Sequence, residues 1–200
     1  MGSNNKNLHK AKVEKNDEFY TLYKDIEKEV SHYKEQLIGK DIYCNCDTPQ
    51  SNFYIYFKEH FNDYKIKSLT ATGYNKEGNG TYAYYNGENE TITSLTGNGS
   101  YDSTECLEIL NTDPDNKVVI TNPPFSKFRG FYSTITGAGV DFLVVANTNA
   151  VTYKDVFPDI KEGRTRVGYN YGNMWFRVPD TYELYGKTTK VVDDNDPKYR

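Results

Sequence analysis

Asn122, Pro123, Pro124 and Phe125 put an amide, two prolines and a flat aromatic ring into four consecutive positions. The Asn122 side chain both donates and accepts hydrogen bonds, and the Phe125 ring offers a stacking face. Two prolines remove two backbone donors and hold the chain extended, so the amide and the ring sit on a stiff loop. A rigid amide beside an aromatic face suits gripping a planar amine. The same residues also read as a plain strand stop, because Asn-Pro commonly opens a turn and Pro-Pro commonly ends a strand. Their surroundings decide between the two.

Directly before them runs Val118-Val119-Ile120, with Thr121 as the junction, which reads as a buried strand of an α/β sheet over 117–121. Phe19, Leu22, Tyr23, Ile26, Val30, Tyr33 and Leu37 recur at three and four residues and predict an amphipathic helix over 16–37. Asn16 or Asp17 would cap it, Glu18 suits its first turn, and Gly39 would end it. A strand over 41–45, a helix over 52–64 and a strand over 66–72 form a parallel β-α-β unit. Tyr82–Tyr85 and Thr91–Leu95 around Asn86-Gly87 predict a β-hairpin, read as an excursion inserted into the sheet over 73–99. Further on come helices over 103–110 and 127–136, an apolar strand over 140–146 and a helix over 149–161. Strands over 166–169 and 174–178 would close the domain as an antiparallel pair around Gly172-Asn173.

Open sheets of this doubly wound α/β class bind ligands above the carboxyl ends of their strands. Those ends carry Asn45-Cys46-Asp47, Gly97-Asn98-Gly99 with Asp102, Asn122 to Phe125, and Asn147 with Asn149. No histidine joins them, which disfavours acyl transfer and most general-base schemes. No glycine-rich dinucleotide loop and no Walker loop is present, which disfavours dinucleotides and nucleoside triphosphates. A cofactor held without a phosphate cradle, facing a polar aromatic clamp, fits transfer to an exocyclic amine. If the Asn122 side-chain oxygen and the Pro123 carbonyl accept the two hydrogens of an amine such as that of adenine, its nitrogen is drawn toward tetrahedral geometry. The lone pair then points at an incoming methyl group, and Phe125 would stack on the ring. No strong base is required, because the proton can leave after transfer.

Bulk properties are compatible with this. Two hundred residues suit one domain, and 19 Tyr with 10 Phe compensate for a hydrophobic fraction of only 36%. The net charge of −4 gives no overall basic field, so any nucleic-acid contact must come from local patches. Three cysteines and three scattered histidines show no zinc spacing, no metal is expected, and the odd cysteine count points to a reducing cytoplasm. No stretch is apolar enough to span a membrane. Residues 1–15 read as a flexible basic arm, 16–180 as the catalytic domain and 181–200 as a polar tail that looks cut off.

Several ordered blocks resemble the EcoRI-like adenine-specific DNA methyltransferases over residues 10–185. They include Lys15 to Thr21, Tyr43 to Asp47, Ser51-Asn52-Phe53, Gly97-Asn98-Gly99, Thr121 to Ser126, Thr152-Tyr153-Lys154, Val156-Phe157-Pro158 and Phe176 to Pro179. The resemblance implies a Rossmann-like methyltransferase fold, S-adenosylmethionine as methyl donor, and double-stranded DNA with its target adenine flipped out. It implies donor contacts from Tyr20, Thr21, Asn45, Cys46, Asp47, Asn52, Asp102 and Asn122, with Asn122, Pro123, Pro124 and Phe125 catalytic. Lys127, Arg129, Lys161, Arg164, Arg166 and Arg177 flank the expected cleft and could neutralise phosphates. A cytoplasmic site in a bacterial or phage-infected cell follows from the same likeness. Two departures stand out. The strand ending at Thr72 offers no acid for the donor's ribose, and position 100 is Ser where the family often has an acid, leaving Asp102 to serve. The loop chemistry also suits an RNA base or a protein glutamine amide, and a chain that kept the fold without turnover would bind the donor alone.

Overall fold

The computed structural model describes residues 20–172 and 174–178. The expected arm over 1–15, the cap at Asn16 to Glu18, Phe19 and the tail over 181–200 lie outside them. In chain order the strands are β1 (Tyr20–Thr21), β2 (Asp41–Cys44), β3 (Ser68–Gly73), β4 (Thr81–Tyr85), β5 (Glu90–Ser94), β6 (Lys117–Thr121), β7 (Asp141–Val144) and β8 (Phe176–Arg177). The helices are α1 (Tyr23–Val30), α2 (Asn52–Glu59), α3 (Phe61–Tyr64), α4 (Thr104–Asn111), α5 (Phe128–Gly137) and α6 (Phe157–Lys161).

Six strands form one sheet in the order β5-β4-β3-β2-β6-β7. β3, β2, β6 and β7 run parallel, as the β-α-β reading requires. Alternation along the central strands feeds two cores. Ile42, Cys44, Val118 and Ile120 pack with α1 and α2, while Tyr43 and Val119 pack with Leu110, Phe131 and Ile135 from α4 and α5. Both faces are therefore covered, which explains why these strands are apolar runs rather than alternating patterns.

The hairpin over 81–94 is not an excursion from the sheet. β4 pairs antiparallel with β3, Ala71 opposite Ala83, and β5 extends the sheet to an exposed edge. Within the described residues, the predicted helix over 16–37 gives way to β1 at Tyr20–Thr21 and tightens into a 3-10 segment over Ser31–Leu37 before Gly39 turns the chain at φ +73°. The helix over 149–161 is broken into a 3-10 turn, Thr148–Thr152, and the short α6, whose first turn holds Pro158.

The expected closing pair of strands over 166–169 and 174–178 is also replaced. β8 pairs antiparallel with β1, Tyr20 opposite Arg177 and Thr21 opposite Phe176. Around 166–169, three N–H groups bond elsewhere, and the Thr165 N–H reaches the Asp159 carbonyl at 3.2 Å. The Glu29 carboxylate of α1 accepts the Tyr169 N–H at 2.8 Å and the Asn170 N–H at 2.7 Å. A buried or half-buried amide needs one partner, and a carboxylate is a stronger acceptor than a strand carbonyl.

Candidate active site

The turn after β2 and the loop after β6 lie side by side because the strands are parallel neighbours, Tyr43 opposite Val119. Two residues further along, the same register brings Asn45 level with Thr121. The side chains confirm the proximity, since Thr121 Oγ1 donates to Asp47 Oδ2 at 2.5 Å. Asp47 is buried, and this desolvation pushes its carboxyl up to about 6 against the opposing hydrogen bonds from Thr121 and Ser51. Ser51 also caps α2, its hydroxyl accepting from the Tyr54 N–H at 3.3 Å, so the first turn of α2 opens beside Asp47. Asn52 Nδ2 donates to the Thr21 carbonyl at 2.8 Å and ties β1 to the same place.

Above these strand ends lies a cleft of about 840 Å³. Tyr20, Thr21, Asn45, Cys46, Asp47 and Asn52 line it on one side, and Asn122, Pro124, Ser126 and Lys127 on the other. Pro123 is buried and, like Phe125, is not among the lining residues, and the Phe125 ring makes a T-shaped contact with Phe176 of β8, centroids 5.9 Å apart. Thr21 Oγ1 and both side-chain polar atoms of Asn45 are buried and find no hydrogen-bond partner among the described residues. Buried polar atoms left unmatched cost on the order of 1–3 kcal/mol each, so this cleft floor is built for a polar ligand.

Asp102 does not line the cleft. Its carboxylate accepts from the Ser100 hydroxyl, and Ser100 is the lining residue. Of the expected phosphate-neutralising residues, Lys127 borders the cleft, its ammonium 5.8 Å from the Tyr74 ring. Arg129 is held by Asp155, Nε donating at 2.8 Å, and Arg164 by Asp159 and Glu162, so both are already neutralised within the fold. Arg166, Arg177 and Lys161 are exposed.

Residues that the sequence did not flag also contribute. Tyr74, Asn75, Lys76 and Glu77, the loop between β3 and β4, overhang the cleft. They are held there by the Asn75 N–H to Asn98 carbonyl bond at 2.8 Å and by Glu105, whose carboxylate accepts the Thr96 and Gly97 N–H groups at 2.7 and 2.6 Å. Gly99, at φ +73°, sits so close to β3 that a Cβ would lie 2.3 Å from the Gly73 carbonyl oxygen. Only the antiparallel pairing of β3 with β4 makes this visible; no local signal marks that loop. Thr121 was legible as the strand end, but its bond to Asp47 was not, because the register sets Asn45 opposite it and the turn after β2 brings Asp47 back to it. Among the described residues no cluster of His, Cys, Asp and Glu could hold a metal, and no helix is long and apolar enough to cross a membrane.

A cleft above the carboxyl ends of a mostly parallel sheet flanked by helices is the arrangement of a Rossmann-like methyltransferase fold. The family described as adenine-specific methyltransferase EcoRI matches residues 7–200, and the chain belongs to that family. It is 42% identical to the type II methyltransferase M.EcoRI of Escherichia coli over 96% of this chain and 64% of that protein. The type II methyltransferase M.MpnI of Mycoplasma pneumoniae is 37% identical over 89% of the chain and 56% of its own length. The type II methyltransferase M.MgeORF184P of Mycoplasma genitalium is 35% identical over 91% and 57%. The chain thus spans about three fifths of the length of these relatives. No solved structure matches it significantly.

Proposed function

We propose that this chain is the donor-binding and transfer core of an S-adenosylmethionine-dependent enzyme that methylates the exocyclic amine of adenine in double-stranded DNA. One observation carries the reading: the buried polar floor at Thr21, Asn45 and Asp47 shares a single cleft with Asn122 and Pro124 of the loop after β6. The floor fits the amino-acid end of the donor. Asp47 supplies a carboxylate for an ammonium group, Asn45 an unmatched donor and acceptor, and the first turn of α2 N–H groups suited to a carboxylate. When bound, S-adenosylmethionine supplies an electrophilic methyl group on a sulfonium.

The chain's own residues have three tasks. Asn122 accepts a hydrogen of the target amine through its side-chain oxygen, and Pro123 accepts the other through its carbonyl. Phe125 offers its face to the base, its tilt fixed by the T-shaped contact with Phe176. Pro123 and Pro124 hold that geometry without induced ordering, so orientation supplies much of the rate. The proton leaves the methylated amine to solvent after transfer, since no histidine lines the cleft.

The experiment is calorimetric titration with S-adenosylmethionine, followed by transfer of its labelled methyl group to duplex DNA, RNA and protein acceptors. Label on the N6 position of adenine supports the reading. Donor binding with label only in RNA or in glutamine would replace the acceptor, and absence of donor binding would sink the enzyme reading altogether.

A further inference from the structure

We propose that residues 165–171, a strap clamped to α1 by Glu29, form a duplex-docking surface beside the target-base end of the cleft. The proposal rests on the functional reading above and adds where the DNA backbone is gripped.

Exposed large apolar side chains are concentrated there. Val167, Tyr169 and Tyr171 are 49, 61 and 61% exposed, within five residues of one another. Arg166 lies between them and the ion-paired Arg164, its guanidinium 6.0 Å over the Tyr169 ring. Unlike Arg129 and Arg164, it meets no carboxylate within ion-pair distance among the described residues. Aromatic side chains interleaved with an arginine that has no ion pair among the described residues are what a nucleic-acid backbone with partly unstacked bases fits.

The strap is also fixed in place rather than left loose. Glu29 accepts from the Tyr169 and Asn170 N–H groups and from Asn170 Nδ2, the last at 2.7 Å, and is itself steadied by Tyr33 Oη at 2.8 Å. Burial pushes the Glu29 carboxyl up, yet these hydrogen bonds outweigh it and leave it below the usual range, so it is charged at neutral pH. The Tyr169 ring stacks on His32 with centroids 4.3 Å apart. Gly168 is required by this clamp, since a Cβ there would lie 2.3 Å from a Glu29 carboxylate oxygen. Such a clamp limits the ordering that binding would otherwise require. Position completes the argument. The strap runs into β8, whose Phe176 touches Phe125, so a duplex presenting an amine at Asn122 lies within reach of it.

The test uses the full chain with a fluorescently labelled, short random-sequence duplex, because phosphate contacts do not depend on sequence. Binding is followed by anisotropy across a salt series, and donor affinity by calorimetry. Tyr171→Ala is expected to weaken duplex binding about tenfold with donor affinity unchanged. Arg166→Gln is expected to lower the log–log salt slope by about one, and Arg166→Lys to restore it. Glu29→Gln should weaken duplex binding at unchanged salt slope, because it loosens the surface without removing a cation. Ile92→Ala, equally exposed on β5, should change nothing. If the wild-type chain binds duplex and the Tyr171 and Arg166 variants bind it equally well with the same slope, the strap is refuted while the functional reading stands. Loss of donor affinity in these variants would assign the strap to the donor site and likewise overturn the proposal. A wild-type chain that binds donor and no duplex removes both the strap and the DNA acceptor.

Discussion

Two loops leave neighbouring parallel strands and face the same cleft, yet they are built in opposite ways. The turn after β2 places a desolvated carboxyl and an unmatched amide at the cleft floor, Asp47 and Asn45. The loop after β6 is stiffened by Pro123 and Pro124 and leaves Asn122 half-buried. The first loop stores unfavourable desolvation that a cationic ligand relieves; the second stores no charge and works through fixed geometry. Under the proposed function, ligand affinity and chemical orientation fall to different residues of one cleft, and each should fail separately.

The largest expected effect is on the β6 side. Asn122→Ala should lower methyl transfer by about 10²–10³-fold, as loss of one preorganised polar contact does, with donor affinity retained. Single-turnover transfer and calorimetry measure the two independently, and retained turnover would refute the clamp. On the β2 side, Asp47→Asn should weaken donor binding by on the order of 2–5 kcal/mol, the range for truncating a buried charge partner. Donor binding unaltered by that change would erase the proposed division between the loops.

A pH series sharpens the contrast. The Asp47 carboxyl is raised from 3.8 to about 6 in the folded protein, so folding favours its protonated form. Its contribution to stability is fully present below pH 4 and is lost as the pH rises through 6, on the order of 3 kcal/mol in all. The ligand-free wild type should therefore lose stability relative to Asp47→Asn across that window in thermal melts. Affinity for the cationic donor should rise over the same window in the wild type alone. The smallest effect is expected from Pro124→Ala, which relaxes a residue at φ −59° and ψ 122° without removing a contact group. About 0.4–1 kcal/mol of stability, and a several-fold fall in turnover at constant donor affinity, would mark rigidity as the loop's contribution.

Much of this arrangement was legible before any fold was known. The apolar run Val118–Ile120 read as a strand and is a buried one, Phe142–Val145 read as a strand and forms most of the half-buried edge strand β7, and Asn86-Gly87 read as the turn of the β4-β5 hairpin. Partner choice was not legible. The hairpin pairs with β3 because that edge was free, and β1 forms at Tyr20–Thr21 because β8 arrives from the far end of the chain to meet it. A helical period runs through Tyr20 and Thr21, and a strand partner more than 150 residues away overrides it. The segment 166–169 has strand-like residues, but Glu29 takes the Tyr169 N–H at its end and the Asn170 N–H beyond it. The predicted helix over 149–161 fails at Thr152 to Val156, where the chain turns before Pro158 restarts it.

By itself the sequence determined the residues that the proposed function uses: an amide-and-ring loop after a buried strand and a polar turn after another. These are local properties of residue type and period. Tertiary structure alone decided that Thr121 binds Asp47, that Asp102 reaches the cleft only through Ser100, and that Arg129 and Arg164 are neutralised within the fold. The physical reason is that charge, burial and hydrogen-bond partnership belong to neighbours in space, and strand register with loop closure chooses those neighbours.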